Sequence, residues 1–100
     1  MRRSVDNSEL ERWRALDAAD ALTVLTDYCK SDVSFRPLKK TATQRWHVVA
    51  NGHDYEIVTT GPKWWDTRAQ LGGAGAVDLA MHLYAHSFTK AVRLLEKLGL

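Results

Sequence analysis

Apolar residues recur at two different periods along the chain, and the changes of period divide it into three parts. In the first, Leu10, Trp13 and Leu16 stand three apart, and Leu22, Leu25 and Tyr28 do the same. Each set falls on one face of a helix. The run Ser8-Glu9-Leu10-Glu11 has the capping-box form, in which serine and glutamate each satisfy an orphan backbone N–H. The spacing predicts one helix from about Glu9 to Leu16 and a second, capped by Asp17, from about Ala18 to Tyr28. No breaker separates them, so a single bent helix is the alternative.

From residue 31 to residue 67 the pattern is that of strands. Val33 to Leu38 forms a short extended segment that Pro37 restricts to an edge or a strand end. The polar stretch Leu38–Gln44 is loop-like. Arg45 to Thr60 then reads as a β-hairpin, because Trp46, Val48 and Ala50 alternate with Arg45, His47 and Val49 around Asn51-Gly52. That dipeptide favours a type I′ turn. Gly61-Pro62 makes another turn, and Lys63 to Thr67 a third antiparallel strand. In the last part the helical period returns. A helix from about Gly75 to Ala85 presents Ala76, Leu79, Ala80 and Leu83, and a second, capped by Ser87, runs from Phe88 to Leu98 and ends at Gly99. The expected fold class is α+β. It has an N-terminal helical segment, a small antiparallel sheet of one hairpin plus a third strand, and two C-terminal helices packed on that sheet.

With 100 residues the chain has room for one domain and one modest core. No apolar run approaches the roughly 20 residues that span a bilayer. MRRSVDNSELER has no apolar stretch after its arginines, so it does not read as a signal peptide. The cytoplasm is the expected compartment, with no membrane partner. Cys29 is alone, which rules out a disulfide framework within this sequence and any all-cysteine metal site.

Charge changes the picture more. Residues 1–29 carry four Arg and six acidic side chains, residues 30–68 seven Lys or Arg against four acids, and residues 69–100 three against two. The basic excess coincides with Phe35, Trp46, Tyr55, Trp64 and Trp65. Basic and aromatic side chains on one surface suit single-stranded nucleic acid, through phosphate contacts and base stacking. A basic solvent face over an aromatic core accounts for the same composition. Lys39-Lys40, flanked by Arg36 and Arg45, is either a solvated loop or a phosphate contact.

The glycine-rich run Leu71-Gly72-Gly73-Ala74-Gly75-Ala76-Val77-Asp78 does not form a nucleotide loop. A Walker loop requires Gly-Lys-Ser/Thr where Ala76-Val77 stand, and a dinucleotide fingerprint follows the first strand of a parallel βαβ unit rather than a hairpin. His82 and His86, four apart, could share a metal or be a half-exposed pair. Asp66 and Asp78 have no acid or base partner nearby in sequence, and Asp78 suits the positive end of a helix. No nucleophile–base pair, metal cage or cofactor motif is visible, so neither an enzyme nor a cofactor is expected.

Gly72-Gly73 followed by Asp78-Leu79-Ala80-Met81 and then Ser87-Phe88-Thr89-Lys90-Ala91-Val92-Arg93-Leu94-Leu95 resembles the zinc-binding domain of bacterial DNA primases. This is the Cys-His-Cys-Cys zinc finger family, also found in plasmid- and phage-encoded primases. The resemblance covers residues 18–98 and is strongest over 64–95. It departs at the metal. The family's cysteine pair in the second half is replaced by Trp65-Asp66-Thr67-Arg68-Ala69-Gln70, and where the family has Cys-Pro-x-His before the first strands the chain offers only Cys29. Structural zinc needs about four converging ligands, so a degenerate form without zinc is expected. In that form aromatic packing replaces the metal, and the glycines serve a tight entry into the helix.

The resemblance implies a module that binds single-stranded DNA for replication or transfer of a mobile element, as a non-catalytic domain working with a Toprim-type primase or a helicase. The nucleic-acid-binding candidates are Arg36, Lys39, Lys40, Arg45, Lys63, Trp64, Trp65 and Arg68. Strand neighbours face opposite sides, so one of Trp64 and Trp65 packs inward and the other is free to stack on a base. The alternative is a protein–protein interaction or accessory module of a plasmid or mobile-element replication protein.

Overall fold

Two helices, five strands and two further helices follow one another in the computed structural model, which describes residues 7–35 and 42–100. They are α1 (Asn7–Ala15), α2 (Ala18–Leu25), β1 (Tyr28–Ser31), β2 (Gln44–Ala50), β3 (His53–Thr60), β4 (Lys63–Asp66), β5 (Leu71–Ala74), α3 (Ala76–Tyr84) and α4 (Phe88–Leu98). The class is α+β, with helices at both ends of an antiparallel sheet. That sheet is a meander in the order β1-β2-β3-β4-β5, so the expected hairpin and third strand form its centre and gain a neighbour on each side.

The hairpin forms where local chemistry directs it. Asn51 and Gly52 have φ of +52° and +77°, the positive values that a type I′ turn demands at both central positions. The register follows, with Ala50 opposite His53 and Trp46 opposite Ile57. The C-terminal helices also match their signals. Ser87 Oγ accepts the Lys90 N–H at 3.3 Å, and Gly99 closes α4 in the left-handed conformation. α3 stops at Tyr84 and Ala85 turns left-handed, so His86 lies beyond the helix and does not continue the stripe of His82.

Four local expectations are corrected. α1 already includes Asn7 and Ser8, so Ser8 sits in its first turn rather than ahead of it. α1 and α2 are separate helices, as the spacing predicts, but α2 ends at Leu25 rather than Tyr28. The β-branched Thr23, Val24 and Thr26 crowd the last turn, and Thr26 spends its N–H and hydroxyl on Leu22 O. Tyr28 then opens β1, which pairs with β2 through Cys29 opposite Val48. Asp32 to Phe35 forms a turn closed by Phe35 N–H to Asp32 O at 3.2 Å, so an edge strand lies before Val33 and residues 33–35 are not extended. The rest of the expected segment, residues 36–38, lies outside the described residues. Last, Leu71–Ala74 is not a turn into the helix but a strand, with Trp64 opposite Gly73 and Trp65 opposite Gly72.

The core lies on one face of the sheet. Val48, Ala50, Ile57, Thr59, Trp64 and Asp66 are the buried strand residues, and the alternation of strands together with the observed register puts all six on the same side. Trp13, Leu22 and Leu25 from the N-terminal helices and Leu79, Ala80 and Leu83 from α3 complete it. α3 packs directly on the sheet, where the Tyr55 hydroxyl donates to Leu83 O at 3.0 Å. α4 packs on α3 through Ala91, Val92 and Leu95. Backbone bonds tie the β3–β4 turn to both helical segments: Ala18 N–H donates to Gly61 O at 2.8 Å, and Gly75 N–H to Pro62 O at 3.0 Å. Gly75 has φ of +91°, and a Cβ there would come within 3.0 Å of Arg14 Cα. Close contact between α1 and the start of α3 therefore explains this glycine without a phosphate.

Candidate nucleic-acid interface

Among the described residues, the face of the sheet turned away from the helices contains no buried strand residue. One transverse row on it runs from Arg45 on β2 through Val58 and Trp65 to Gly72 on β5. Trp65 is 46% exposed. Its ring lies against Gly72, where an added Cβ would meet Trp65 Cε3 at 2.7 Å and Trp64 O at the same distance. Glycine therefore lets the indole lie low over β5 with its other side open to solvent. Lys63 shares the strand and the face, about 7 Å from Trp65 along the backbone. Arg45 stands two strands away, about 10 Å.

The candidate residues thus divide. Arg45, Lys63 and Trp65 come together on the open face. Trp64 is 5% exposed and points into the core, so it cannot meet a ligand on that face. Arg68 is exposed in the β4–β5 turn, at the opposite end of β4 from Lys63. Arg36, Lys39 and Lys40 lie outside the described residues.

The face also carries Lys30 and His47, which the sequence did not single out, and Tyr28 meets the His47 ring edge-on at 6.2 Å. Acids offset these bases. His47 Nε2 is 3.4 Å from Asp54, and Glu56 stands opposite His47. Asp32 holds Arg45 Nε at 3.0 Å and Nη2 at 2.5 Å. Hydrogen bonds from Ser34, and then from Arg45, pull the Asp32 carboxyl down to about 2. Among the described residues, the basic groups on this face are therefore discrete contact points around an aromatic platform, not a uniformly positive plate.

On the inner face, sequence reasoning missed a buried pair. Asp66 Oδ1 accepts the Arg68 and Ala69 N–H groups, both at 3.0 Å, and Oδ2 lies 2.7 Å from His82 Nε2. The two side chains are 3% and 15% exposed. An ionised carboxylate can only accept, so Nε2 carries the hydrogen in this contact. The His82 ring stacks on Trp64 at 5.0 Å and meets Tyr55 edge-on at 5.8 Å. Burial by itself would raise the Asp66 carboxyl, but the Ala69 N–H, His82 and the Arg68 N–H together bring it below its ordinary value. Burial and then the Asp66 charge push the Tyr55 hydroxyl up. Asp66 and His82 are sixteen positions apart, beyond any local pattern, and only the docking of α3 joins them.

Asp66 lies in the stretch where the family that the sequence resembles has its second cysteine pair. The residues present do not fit zinc. Among the described residues no three His, Cys, Asp or Glu side chains are placed to hold a metal ion. Cys29 is on β1, three strands from Asp66, or roughly 14 Å across the sheet. Asp66 and His82 are spent on each other. The clasp links the end of β4 and the β4–β5 turn to α3.

No protein-family model, curated protein or solved structure matches this chain.

Proposed function

We propose that the chain is a single-stranded nucleic-acid-binding module that works through the open face of its sheet. The observation that carries this reading is Trp65, half-exposed on a face with no helix among the described residues, seated on Gly72 and flanked by Lys63 and Arg45. An exposed indole accepts any base by stacking, while cations beside it contact the backbone. Discrete cations suit a flexible single strand, which can adjust its phosphates to them, better than a rigid duplex. The similarity of residues 64–95 to the primase zinc-binding domain points to the same ligand class and supports a role in replication or transfer of a mobile element. In this reading the Asp66–His82 clasp replaces the metal.

Titration of the protein against a single-stranded oligonucleotide and its duplex tests this. Single-strand binding should weaken as salt rises, and Trp65→Ala should lower affinity about 5- to 150-fold with the fold intact. Binding that is absent, or that ignores Trp65→Ala, refutes it. A second reading, a docking module for a protein partner, draws on Leu71, which is 51% exposed on the edge strand β5. It predicts partner binding that depends on Leu71 and changes little with salt.

A further inference from the structure

The turn that follows β1 folds back over the one cation in the Trp65 row. Asp32 Oδ2 takes both Nε and Nη2 of Arg45, and Oδ1 accepts the Ser34 N–H at 2.9 Å and the Ser34 hydroxyl at 2.6 Å. The Asp32 N–H returns to Arg45 O at 2.8 Å. The guanidinium carbon lies 5.5 Å from the centre of the Phe35 ring. A carboxylate, itself held by Ser34, and an aromatic ring thus hold a guanidinium whose side chain remains 37% exposed.

Carboxylate and phosphate are taken by the same guanidinium fork. We infer that Asp32 is an internal competitor for the phosphate contact of Arg45, an autoinhibitory carboxylate that sets how tightly this face holds a single strand. The inference rests on the function proposed above. A solvent-facing ion pair is weak, so an incoming phosphate can take Arg45 while Asp32 stays on Ser34. The exchange spends one ion pair to form another and therefore yields little net counterion release. Without the carboxylate, Arg45 contributes a full phosphate contact.

The test measures binding of a single-stranded oligothymidylate by fluorescence anisotropy at several salt concentrations. The variants are Asp32→Asn, Asp54→Asn, Arg45→Gln, Trp65→Ala and the double variant Asp32→Asn/Arg45→Gln. Asp54→Asn removes the same charge from the same face without touching Arg45. Asp32→Asn should gain about two- to fivefold more affinity than Asp54→Asn. Its salt dependence should steepen by about 0.7 in log–log slope, the share of one single-strand phosphate. The gain should vanish in the Arg45→Gln background, as a double-mutant cycle requires of coupled groups. Should the amide variant not fold, Asp32→Ser serves in its place. If binding depends on Trp65 yet Asp32→Asn gains no more than Asp54→Asn, or its gain survives Arg45→Gln, the competitor role is overturned and the interface stands. If neither the parent nor any variant binds, both fall together.

Discussion

Replacing Asp66 with alanine removes three acceptor contacts from a side chain that is 3% exposed. The Arg68 and Ala69 N–H groups lose their partner in the β4–β5 turn, and His82 is left facing Trp64 and Tyr55 without its carboxylate. A buried hydrogen-bond donor left without its acceptor costs about 1–3 kcal/mol, and this change strands up to three. A domain of this size has roughly 5–15 kcal/mol in all, so Asp66→Ala should leave it marginal at room temperature. Asp66→Asn is milder, since its amide oxygen can still take the two N–H groups, and about 1–3 kcal/mol is expected. The pH dependence separates charge from shape. The folded-state pKa of Asp66 lies below its ordinary value, so the unfolded chain binds the proton more readily. The stability it supplies is then fully present above about pH 4 and lost as pH falls through the lowered folded value. Urea unfolding of the parent, Asp66→Asn and Asp66→Ala between pH 3 and 7 measures both effects. An alanine variant less than about 1 kcal/mol weaker than the parent, or an acid-induced loss undiminished in Asp66→Asn, refutes the clasp.

The two adjacent tryptophans should behave oppositely. Trp64→Ala should cost about 3–5 kcal/mol in chemical denaturation as a core truncation, while Trp65→Ala should stay within about 1 kcal/mol of the parent and be read in binding. Gly72→Ala brings a methyl group to 2.7 Å from Trp64 O and the Trp65 ring. It should destabilise by about 1–3 kcal/mol and shift Trp65 fluorescence, and an unchanged spectrum and midpoint would contradict the seating described. Gly52→Val places a β-branched residue at φ of +77° and should cost at least about 1–2 kcal/mol by thermal unfolding. Free space around that glycine means a neutral result could not be attributed to relieved crowding.

What the amino-acid order determines by itself is local. Asn51-Gly52 sets the hairpin turn and its register, Ser87 and Gly99 bound α4, and the alternation of β4 forces Trp64 and Trp65 to opposite faces. Each depends on dihedral preferences or spacing within a few residues, so the α+β class and the central strands were legible without coordinates. Tertiary structure decided the rest. β1 and β5 are four residues each, too short to show a period, and Leu71–Ala74 carries glycines that read as a turn. They become strands because β2 and β4 offer open edges and because a side chain at Gly72 or Gly73 would strike a tryptophan. The choice of Trp64 as the inward ring came from the docking of α3, whose His82 stacks on it. Asp66–His82 and Asp32–Arg45 join residues sixteen and thirteen positions apart. Side-chain pairs of that kind depend on where the folded backbone brings the two residues, a geometry that no periodicity within either segment encodes.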